Sequence, residues 1–339
     1  MKRSVLLALA AGLSLLATAA QAQLEKRDVH IAVGGKASFY YLPLTIAEQL
    51  GYFKQEGLNV KISDFKGGSV ALRAVVGGSA DVVSGAYEHT INLQSKKQFF
   101  QAFVAQGRLP QIAFGVATAK AGQIKSLKDL KGLRVGVSAP GSSTHNLVKQ
   151  LLTKGGLDPD KDVSVVGVGL GAQAFAAVQS GQVDAISNTD PVITKLQQAN
   201  AIRVIADTRT VKGTVAVWGA PLPAGCLYAP IEFVQHNPHT AQALANAIVR
   251  ADKWIAKASA TDVAKVVPEA YLLGDRALYL FSYDHVKEAI STDGIISDAG
   301  AKATLKALAT FVPAVKTAQI RLDQTYTNEF AKKADQKYK

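Results

Sequence analysis

Short apolar runs alternate along the first part of the chain with segments whose apolar residues recur at helical spacing. The runs at 30–33, 60–64 and 80–83 are typical of buried strands, and the segments at 42–49 and 69–76 are typical of helices with one apolar face. Strands that alternate with helices in this way predict an α/β lobe with a mainly parallel sheet.

The same unit occurs a second time further along the chain. Residues 68–87 align without a gap with residues 171–190, and each copy runs from a glycine through a short helix to a second glycine and a buried strand. The segments upstream correspond as well, with predicted strands at 134–137 and 163–168 around a predicted helix at 144–154. A repeat of this kind predicts two similar lobes in tandem.

The pattern also predicts how the lobes are connected. A β-rich stretch at 112–118 is expected to join them, and the chain is expected to return through strands at 214–218 and 226–229, so that two crossing strands form a hinge. The segments after Pro230 have helical periodicity and are expected to pack on the first lobe. Those segments are 238–260, 261–267, 275–281 and 299–309. The first lobe is then expected at residues 23–114 and 219–339, and the second at 115–218.

The first residues have the pattern of a secretory signal peptide. Lys2 and Arg3 precede an apolar segment at 4–19 and the small-residue sequence Ala20-Gln21-Ala22. The alternative is a membrane anchor, but the apolar run is at or below the roughly 18 residues expected of a spanning helix. The pattern predicts cleavage after Ala22 and a periplasmic protein, and Gln23 in place of a cysteine argues against a lipid anchor.

Composition and charge narrow the classes further. The 339-residue chain has a single cysteine, Cys226, so no internal disulfide can form and stability has to come from a large core. The formal net charge of +12 is dispersed along the chain. A basic balance is compatible with an anionic ligand. Nucleic acid is a poor partner for an exported protein, and none is expected.

Candidate ligand contacts follow from the fold class, because open α/β sheets bind ligands beyond the carboxyl ends of their strands. In both lobes these ends are loops of small and hydroxyl residues, several of which lead into a helix whose free N–H groups suit an anion. The candidates are Ser38, Tyr40, Gly68, Ser69, Gly85, Ala86, Tyr87, Gly141, Ser142, Ser143, Thr144, His145, Thr189, Asp190 and Trp218.

Several of these residues have a second interpretation. The hydroxyls at 141–144 are equally suited to ordinary helix capping, and His145 either contacts an anion or only completes the helix start. Tyr40 and Tyr87 are expected at the cleft, whereas Trp218 either covers a ligand or belongs to the core.

Two further features bear on charge. Glu88 and His89 are adjacent, and because neighbours on a helix point apart, a solvated helix start is expected for them. The loops contain no arginine to grip a carboxylate or sulfonate with two hydrogen bonds, and Lys36 is the nearest cation.

Several strings occur in an order that resembles the nitrate/sulfonate/taurine-type periplasmic binding proteins, the family that also includes thiamine-pyrimidine binding proteins. They include the segment 43–58 (PLTIAEQLGYFKQEGL), Lys66-Gly67-Gly68, Gly78-Ser79-Ala80-Asp81, the segment 126–137 (SLKDLKGLRVGV) and Gly141-Ser142-Ser143-Thr144. The resemblance covers nearly the whole chain after the proposed signal peptide.

The resemblance implies a type II periplasmic-binding-protein fold, with two α/β lobes, a two-strand hinge and a discontinuous first lobe. It also implies a monomer that captures a small organic or anionic solute and delivers it to an ABC permease and its ATPase. The family does not fix the solute, and sulfonates, nitrate, taurine, aromatic acids and pyrimidine precursors all remain open. Ligand contacts would come from the loop after the first strand, the Gly-Gly helix start, residues 85–87 and the Gly-Ser-Ser-Thr turn.

Two other functions remain open. A periplasmic sensor subunit would bind the same solute without delivering it. An enzyme resembling the pyrimidine-synthesising member of this fold family would need a cysteine-rich motif, and the chain has only Cys226. The chain contains no G-x-S-x-G nucleophile elbow, no zinc-binding H-E-x-x-H motif and no phosphate-binding P-loop motif. No catalytic residue, metal or cofactor is therefore expected.

Overall fold

The computed structural model describes residues 23–339, so the proposed signal peptide and its cleavage site lie outside the described residues. None of the helices within that range combines the length and apolarity needed to cross a bilayer. The strands, in chain order, are β1 (Asp28–Val33), β2 (Asn59–Asp64), β3 (Val82–Ala86), β4 (Phe100–Ala105), β5 (Ile112–Ala117), β6 (Arg134–Val137), β7 (Ser164–Gly167), β8 (Ala185–Thr189), β9 (Ile202–Asp207) and β10 (Gly225–Pro230).

The helices alternate with these strands and then form the C-terminal part of the chain. They are α1 (Leu42–Gln49), α2 (Tyr52–Gln55), α3 (Gly68–Val76), α4 (Glu88–Gln94), α5 (Thr118–Ala121), α6 (Ser143–Lys154), α7 (Ala172–Gln179), α8 (Val192–Gln198), α9 (Val211–Trp218), α10 (Ile231–His236), α11 (Pro238–Lys257), α12 (Ala260–Val266), α13 (Arg276–Val286), α14 (Asp298–Phe311), α15 (Pro313–Thr317) and α16 (Glu329–Lys337).

The strands form two five-stranded sheets of equivalent topology, with the orders β2-β1-β3-β10-β4 and β7-β6-β8-β5-β9. In each sheet the first three strands are parallel, and the fourth is antiparallel to both of its neighbours. We call the first sheet with its helices the first lobe, and the second sheet with its helices the second lobe. The two-lobed α/β architecture expected from the repeat is therefore confirmed.

The lobes are joined by the segments 106–111 and 208–224. The expectation of a returning strand at 214–218 was wrong, because this stretch forms helix α9. Thr210 caps the helix by accepting a hydrogen bond from the Gly213 N–H at 3.1 Å, and Gly219, at φ +83°, ends it. The cap and the terminal glycine therefore outweigh the strand preference of the valines in this segment.

The C-terminal helices follow the expectation only in part. Helix α11 packs against α1, α16 and β4 of the first lobe, and its buried face consists largely of alanine, valine and isoleucine. Helix α14, in contrast, contacts both α4 of the first lobe and α6 of the second. Thr310 of α14 donates a hydrogen bond to Gln150 of α6 at 3.3 Å. The C-terminal region therefore reaches both lobes at the base of the cleft.

Candidate ligand-binding cleft

The carboxyl ends of the two sheets face each other, and their loops touch. The Ser69 N–H donates a hydrogen bond to the Ser142 hydroxyl at 3.0 Å, and the Ser69 hydroxyl donates to the Pro140 carbonyl at 2.8 Å. A second contact joins the hydroxyls of Ser38 and Thr189, 2.7 Å apart. The structure therefore has the lobes in direct contact across the cleft.

Gly67 shows how close this approach is. A Cβ atom added at Gly67 would lie 2.8 Å from the Ala139 Cβ and 3.0 Å from the Ala139 nitrogen, in the opposite lobe. The backbone of Gly67 is extended, so the requirement for glycine comes from the neighbouring lobe rather than from φ.

A cavity of about 30 Å³ lies beneath these contacts. That volume holds about two water-sized groups, so a larger ligand requires the lobes to separate. The polar side chains in its wall are those of Tyr40, Glu88, Ser143, Asn146, Trp218 and Thr304. The rest of the wall is apolar and comes from the two crossing segments and α14, with Ile112 at the start of β5 among its members. An apolar wall with a few polar anchors is typical of a small-molecule site.

Glu88 is the carboxyl group of this cavity. It begins α4 immediately beyond the carboxyl end of β3, and Asn146 of the second lobe donates a hydrogen bond to its Oε1 at 3.4 Å. Burial raises the pKa of Glu88 to about 7, against the opposing effect of hydrogen bonds from its own backbone and from Asn146.

His89 is buried beside it in the first lobe. Its Nδ1 lies 2.8 Å from the Tyr228 hydroxyl, and its Nε2 has no hydrogen-bond partner among the described residues. Burial lowers the pKa of His89 to about 4. The expectation of a solvated helix start was therefore wrong for His89, which is buried, whereas Glu88 is half-buried beside the second lobe.

Three of the fifteen candidate residues line the cavity: Tyr40, Ser143 and Trp218. Tyr40 is buried, and burial raises its pKa well above the usual range. Trp218 combines the two roles considered for it, since it packs on Phe311 with 6.4 Å between ring centroids and also forms part of the cavity wall. Its Nε1–H is buried and has no partner among residues 23–339.

A second group of candidates makes the contacts between the lobes. Ser38, Ser69, Ser142 and Thr189 hydrogen-bond across the cleft. The backbone carbonyl of Asp190 accepts a hydrogen bond from the Phe39 N–H at 3.3 Å. The Asp190 carboxylate instead belongs to an internal ion pair, with Arg209 Nη1 at 3.0 Å.

A third group builds the turn before α6. Thr144 accepts a hydrogen bond from the Ser138 N–H, and His145 Nδ1 accepts one from the Gly141 N–H, both at 3.0 Å. Gly141 has φ +85°, a conformation that favours glycine. Of the two roles considered for His145, this geometry supports completing the helix start. Burial lowers the pKa of His145 to about 4, so the ring is neutral at physiological pH.

The remaining candidates support the site from within the first lobe. Tyr87 does not line the cavity, because its hydroxyl lies 2.8 Å from Thr325 Oγ1 and its ring packs on Tyr326. The expected place of its side chain at the cleft is thus corrected. Gly85 and Ala86 pair with β10, and a Cβ at Gly85 would lie 2.9 Å from the Tyr228 ring. Gly68 is next to His89, whose Cε1 would lie 3.4 Å from a Cβ there.

The candidate set missed several wall residues. Glu88 follows β3 at its carboxyl end, so the rule that gave the other candidates could have found it. Asn146 lies three residues after Ser143 on α6, and helical spacing places the two on one face. Thr304, Ala307 and Leu308 lie on α14, and no local pattern connects that helix with the cleft.

The fold agrees with comparisons to known proteins. The model of the NMT1-like family matches residues 22–268. The chain belongs to the NMT1-like family. The aligned segments span between 37% and 68% of the lengths of four curated relatives.

Solved structures of this fold align over most of the chain. The structure of CAE31940 from Bordetella bronchiseptica is 56% identical, with a TM-score of 0.91 over 93% of this chain and 99% of that one. The alkanesulfonate-binding protein SsuA from Xanthomonas axonopodis, bound to MOPS, is 20% identical, with a TM-score of 0.68 over 90% and 100%. The periplasmic nitrate-binding protein NrtA from Synechocystis is 14% identical, with a TM-score of 0.72 over 93% and 89%. The likeness confirms the expected periplasmic-binding-protein fold.

Proposed function

We propose that this protein is the periplasmic solute-binding component of an ABC-type importer, and that it captures a small molecule between its two lobes. The observation that carries the proposal is the cavity where the carboxyl ends of two equivalent sheets meet, with polar side chains from both lobes in its wall. Membership of the NMT1-like family supports it, and so does the fold that the chain shares with a sulfonate-binding and a nitrate-binding protein.

The mechanism follows from the two connections between the lobes. A solute binds to one lobe while the cleft is open, the segments 106–111 and 208–224 bend, and the other lobe completes the site. Hydrogen bonds such as that from Ser69 to Ser142 then stabilise the closed form. Ligand binding shifts the population toward this form, which docks on the permease.

The proposal includes export through the signal peptide, a monomer in the periplasm, and a permease with its ATPase as partners. The solute classes to be tested are sulfonates, nitrate, taurine, aromatic acids and pyrimidine precursors. An enzymatic role has less support, because the Cys226 thiol is buried and burial raises its pKa well above the usual range. A thiol in that state is a poor nucleophile.

The test combines a binding screen with a measurement of shape. The protein from Gln23 onward is screened by thermal shift against these solute classes, because a ligand that binds only the native state raises the melting temperature. Small-angle scattering is then recorded with and without each ligand that shifts the transition. Compaction at saturation is the expected result. A ligand that raises the melting temperature without changing the radius of gyration of an initially open protein contradicts capture by closure.

A further inference from the structure

The cavity wall contains an acidic side chain that can carry a negative charge. Glu88 is there, whereas no lysine, arginine or histidine side chain of residues 23–339 forms part of the wall. Lys36, the nearest cation in the loops, forms an ion pair with Glu48. A site built for a sulfonate or nitrate needs an opposite charge or several donors directed at the ligand, and a carboxyl group supplies neither when it is ionised.

We infer that the cleft takes a small ligand with a cationic amine, which binds the Glu88 carboxylate. The inference rests on the proposed function and names the ligand class of the same site.

The hydrogen-bonding groups of the wall fit such a ligand. Asn146 is 3.4 Å from Glu88 Oε1, and with the hydrogen bond from the Glu88 backbone this leaves part of the acceptor capacity of that carboxylate free. The buried Trp218 Nε1–H lacks a partner among the described residues, and a donor in that position calls for an acceptor on the ligand. The ligand therefore offers a donor to Glu88 and an acceptor to Trp218. Aromatic side chains beside a carboxylate also favour a cation.

The start of α6 is a feature of the wall that favours an anion. Ser143 and Asn146 belong to its first turns, and a helix N-terminus has the effect of about half a positive charge. An ionised Glu88, which Asn146 of this helix contacts at 3.4 Å, carries a full negative charge in the same small cavity. The carboxylate therefore outweighs the helix end above the pKa of Glu88.

Glu88 is also the group near the cavity that titrates close to neutral pH. Burial raises its pKa to about 7, whereas burial lowers the pKa of His89 and of His145 to about 4. Burial raises the pKa of the other titratable groups that interact with Glu88, and these remain neutral: Tyr40, Tyr41, Cys226 and Tyr228.

The basic side chains of the surrounding elements are directed elsewhere. Two of them form ion pairs: Lys149 with Asp160, and Arg209 with Asp190 and Asp207. Two donate hydrogen bonds to backbone carbonyls: Lys154 to that of Ala216, and Arg108 to that of Glu288. The side chains of four lysines are exposed: Lys96, Lys212, Lys302 and Lys306. A bound cation would therefore interact chiefly with Glu88, and its binding would release the proton that Glu88 holds at lower pH.

The experiment uses ligand pairs with the same hydrocarbon group and opposite charge. Calorimetry at pH 6 and pH 8 measures the binding of propylamine against propanesulfonate, and of benzylamine against phenylmethanesulfonate, with benzyl alcohol as the neutral member. The amines are expected to bind and the sulfonates are not. Amine affinity should rise about ten-fold from pH 6 to pH 8, because only ionised Glu88 binds a cation.

Variants separate this role from a structural one. Glu88→Gln is expected to lower amine affinity at least ten-fold and to abolish its pH dependence, while Glu88→Asp retains part of both. Trp218→Phe, which keeps a ring but lacks the N–H, should weaken the binding of ligands that carry a hydrogen-bond acceptor. The matched control is Glu269→Gln, an exposed carboxylate outside the cleft, which should leave binding unchanged. A melting curve for each variant shows that it is folded.

Three results would overturn the inference. Sulfonates that bind wild type and Glu88→Gln alike would refute the ligand class and leave capture by the cleft intact. Amines that bind Glu88→Gln as tightly as wild type would refute the role of Glu88. If none of these probes binds, the ligand class is refuted, and if the wider solute screen also gives no shift, the proposed function fails with it.

Discussion

Ser69 and Ser142 join the two lobes at the starts of helices α3 and α6. The Ser69 N–H donates to the Ser142 hydroxyl at 3.0 Å, and that hydroxyl in turn donates to the Ser69 Oγ at 3.2 Å. The first N–H groups of a helix have no partner within the helix. Here one of them donates to an acceptor in the other lobe, so the Gly-Ser sequences at these two helix starts contribute directly to the contact between lobes.

Replacing Ser142 should therefore shift the protein toward the open form. Ser142→Ala removes the acceptor of the Ser69 N–H, at a cost of about 0.5–1.5 kcal/mol to the closed form. Small-angle scattering should give a larger radius of gyration than for wild type without ligand. Ser180→Ala, which removes a hydroxyl on the far end of α7, is the control. Identical scattering from both variants would show that this contact does not hold the lobes together.

Gly67→Ala should prevent full closure while the lobes stay folded. The new Cβ would lie 2.8 Å from the Ala139 Cβ of the other lobe, a separation that real contacts do not tolerate. We expect ligand affinity to fall at least ten-fold with little change in melting temperature. Gly122→Ala provides the matched control, since no atom lies within 4 Å of a Cβ there. Unchanged affinity for Gly67→Ala would mean that ligand binding does not require this approach.

The raised pKa of Glu88 makes the stability of the free protein depend on pH. Because the folded protein holds this proton more tightly than the unfolded chain, stability should fall as the pH rises from the ordinary carboxyl pKa of 4.5 through about 7. Glu88→Gln removes that loss, so it should raise the free energy of unfolding by about 1–3 kcal/mol at pH 8 and by much less at pH 5. Denaturant titrations at both pH values, with Glu269→Gln alongside, measure the difference. An equal effect at the two pH values would contradict the titration of Glu88.

Two tyrosine substitutions should distinguish a tyrosine of the cavity wall from a tyrosine of the core by their effects on ligand affinity and on stability. Tyr87→Phe removes the hydrogen bond to Thr325 and should lower the free energy of unfolding by about 0.5–1.5 kcal/mol, with ligand affinity retained. Tyr40→Phe alters the cavity wall and should reduce affinity more than stability. Parallel binding and unfolding measurements test the contrast, which fails if Tyr87→Phe weakens binding as much as Tyr40→Phe does.

The signal peptide is tested by export. The full-length chain, expressed in a Gram-negative host, should appear in the periplasmic fraction with Gln23 as its first residue, measured by intact-mass spectrometry. Replacing Ala20 and Ala22 by bulky residues should leave uncleaved protein in the membrane fraction. A periplasmic product that begins at another residue would correct the proposed cleavage site.

The sequence by itself determined the repeated unit and most of its elements. Helix Leu42–Gln49 has the bounds that its periodicity predicts, and Gly78 and Gly181, at φ +75° and +68°, follow the two equivalent helices. These features depend on hydrogen bonds and backbone preferences within a few residues, so the local sequence contains the information. The rule that ligands bind beyond the carboxyl ends of strands likewise placed Tyr40 and Ser143 at the cleft.

Only the tertiary structure decided which side chains reach the cavity. Glu88 and His89 have the sequence of a solvated helix start, yet α14, far away along the chain, packs on their helix, and Asn146 of the second lobe hydrogen-bonds Glu88. The Tyr87 side chain lies outside the cavity because its hydroxyl forms a hydrogen bond with Thr325, near the C-terminus. Burial, and the pKa shifts that follow from it, arise from surfaces brought together by the whole fold, and the residues next to a side chain in sequence do not reveal them.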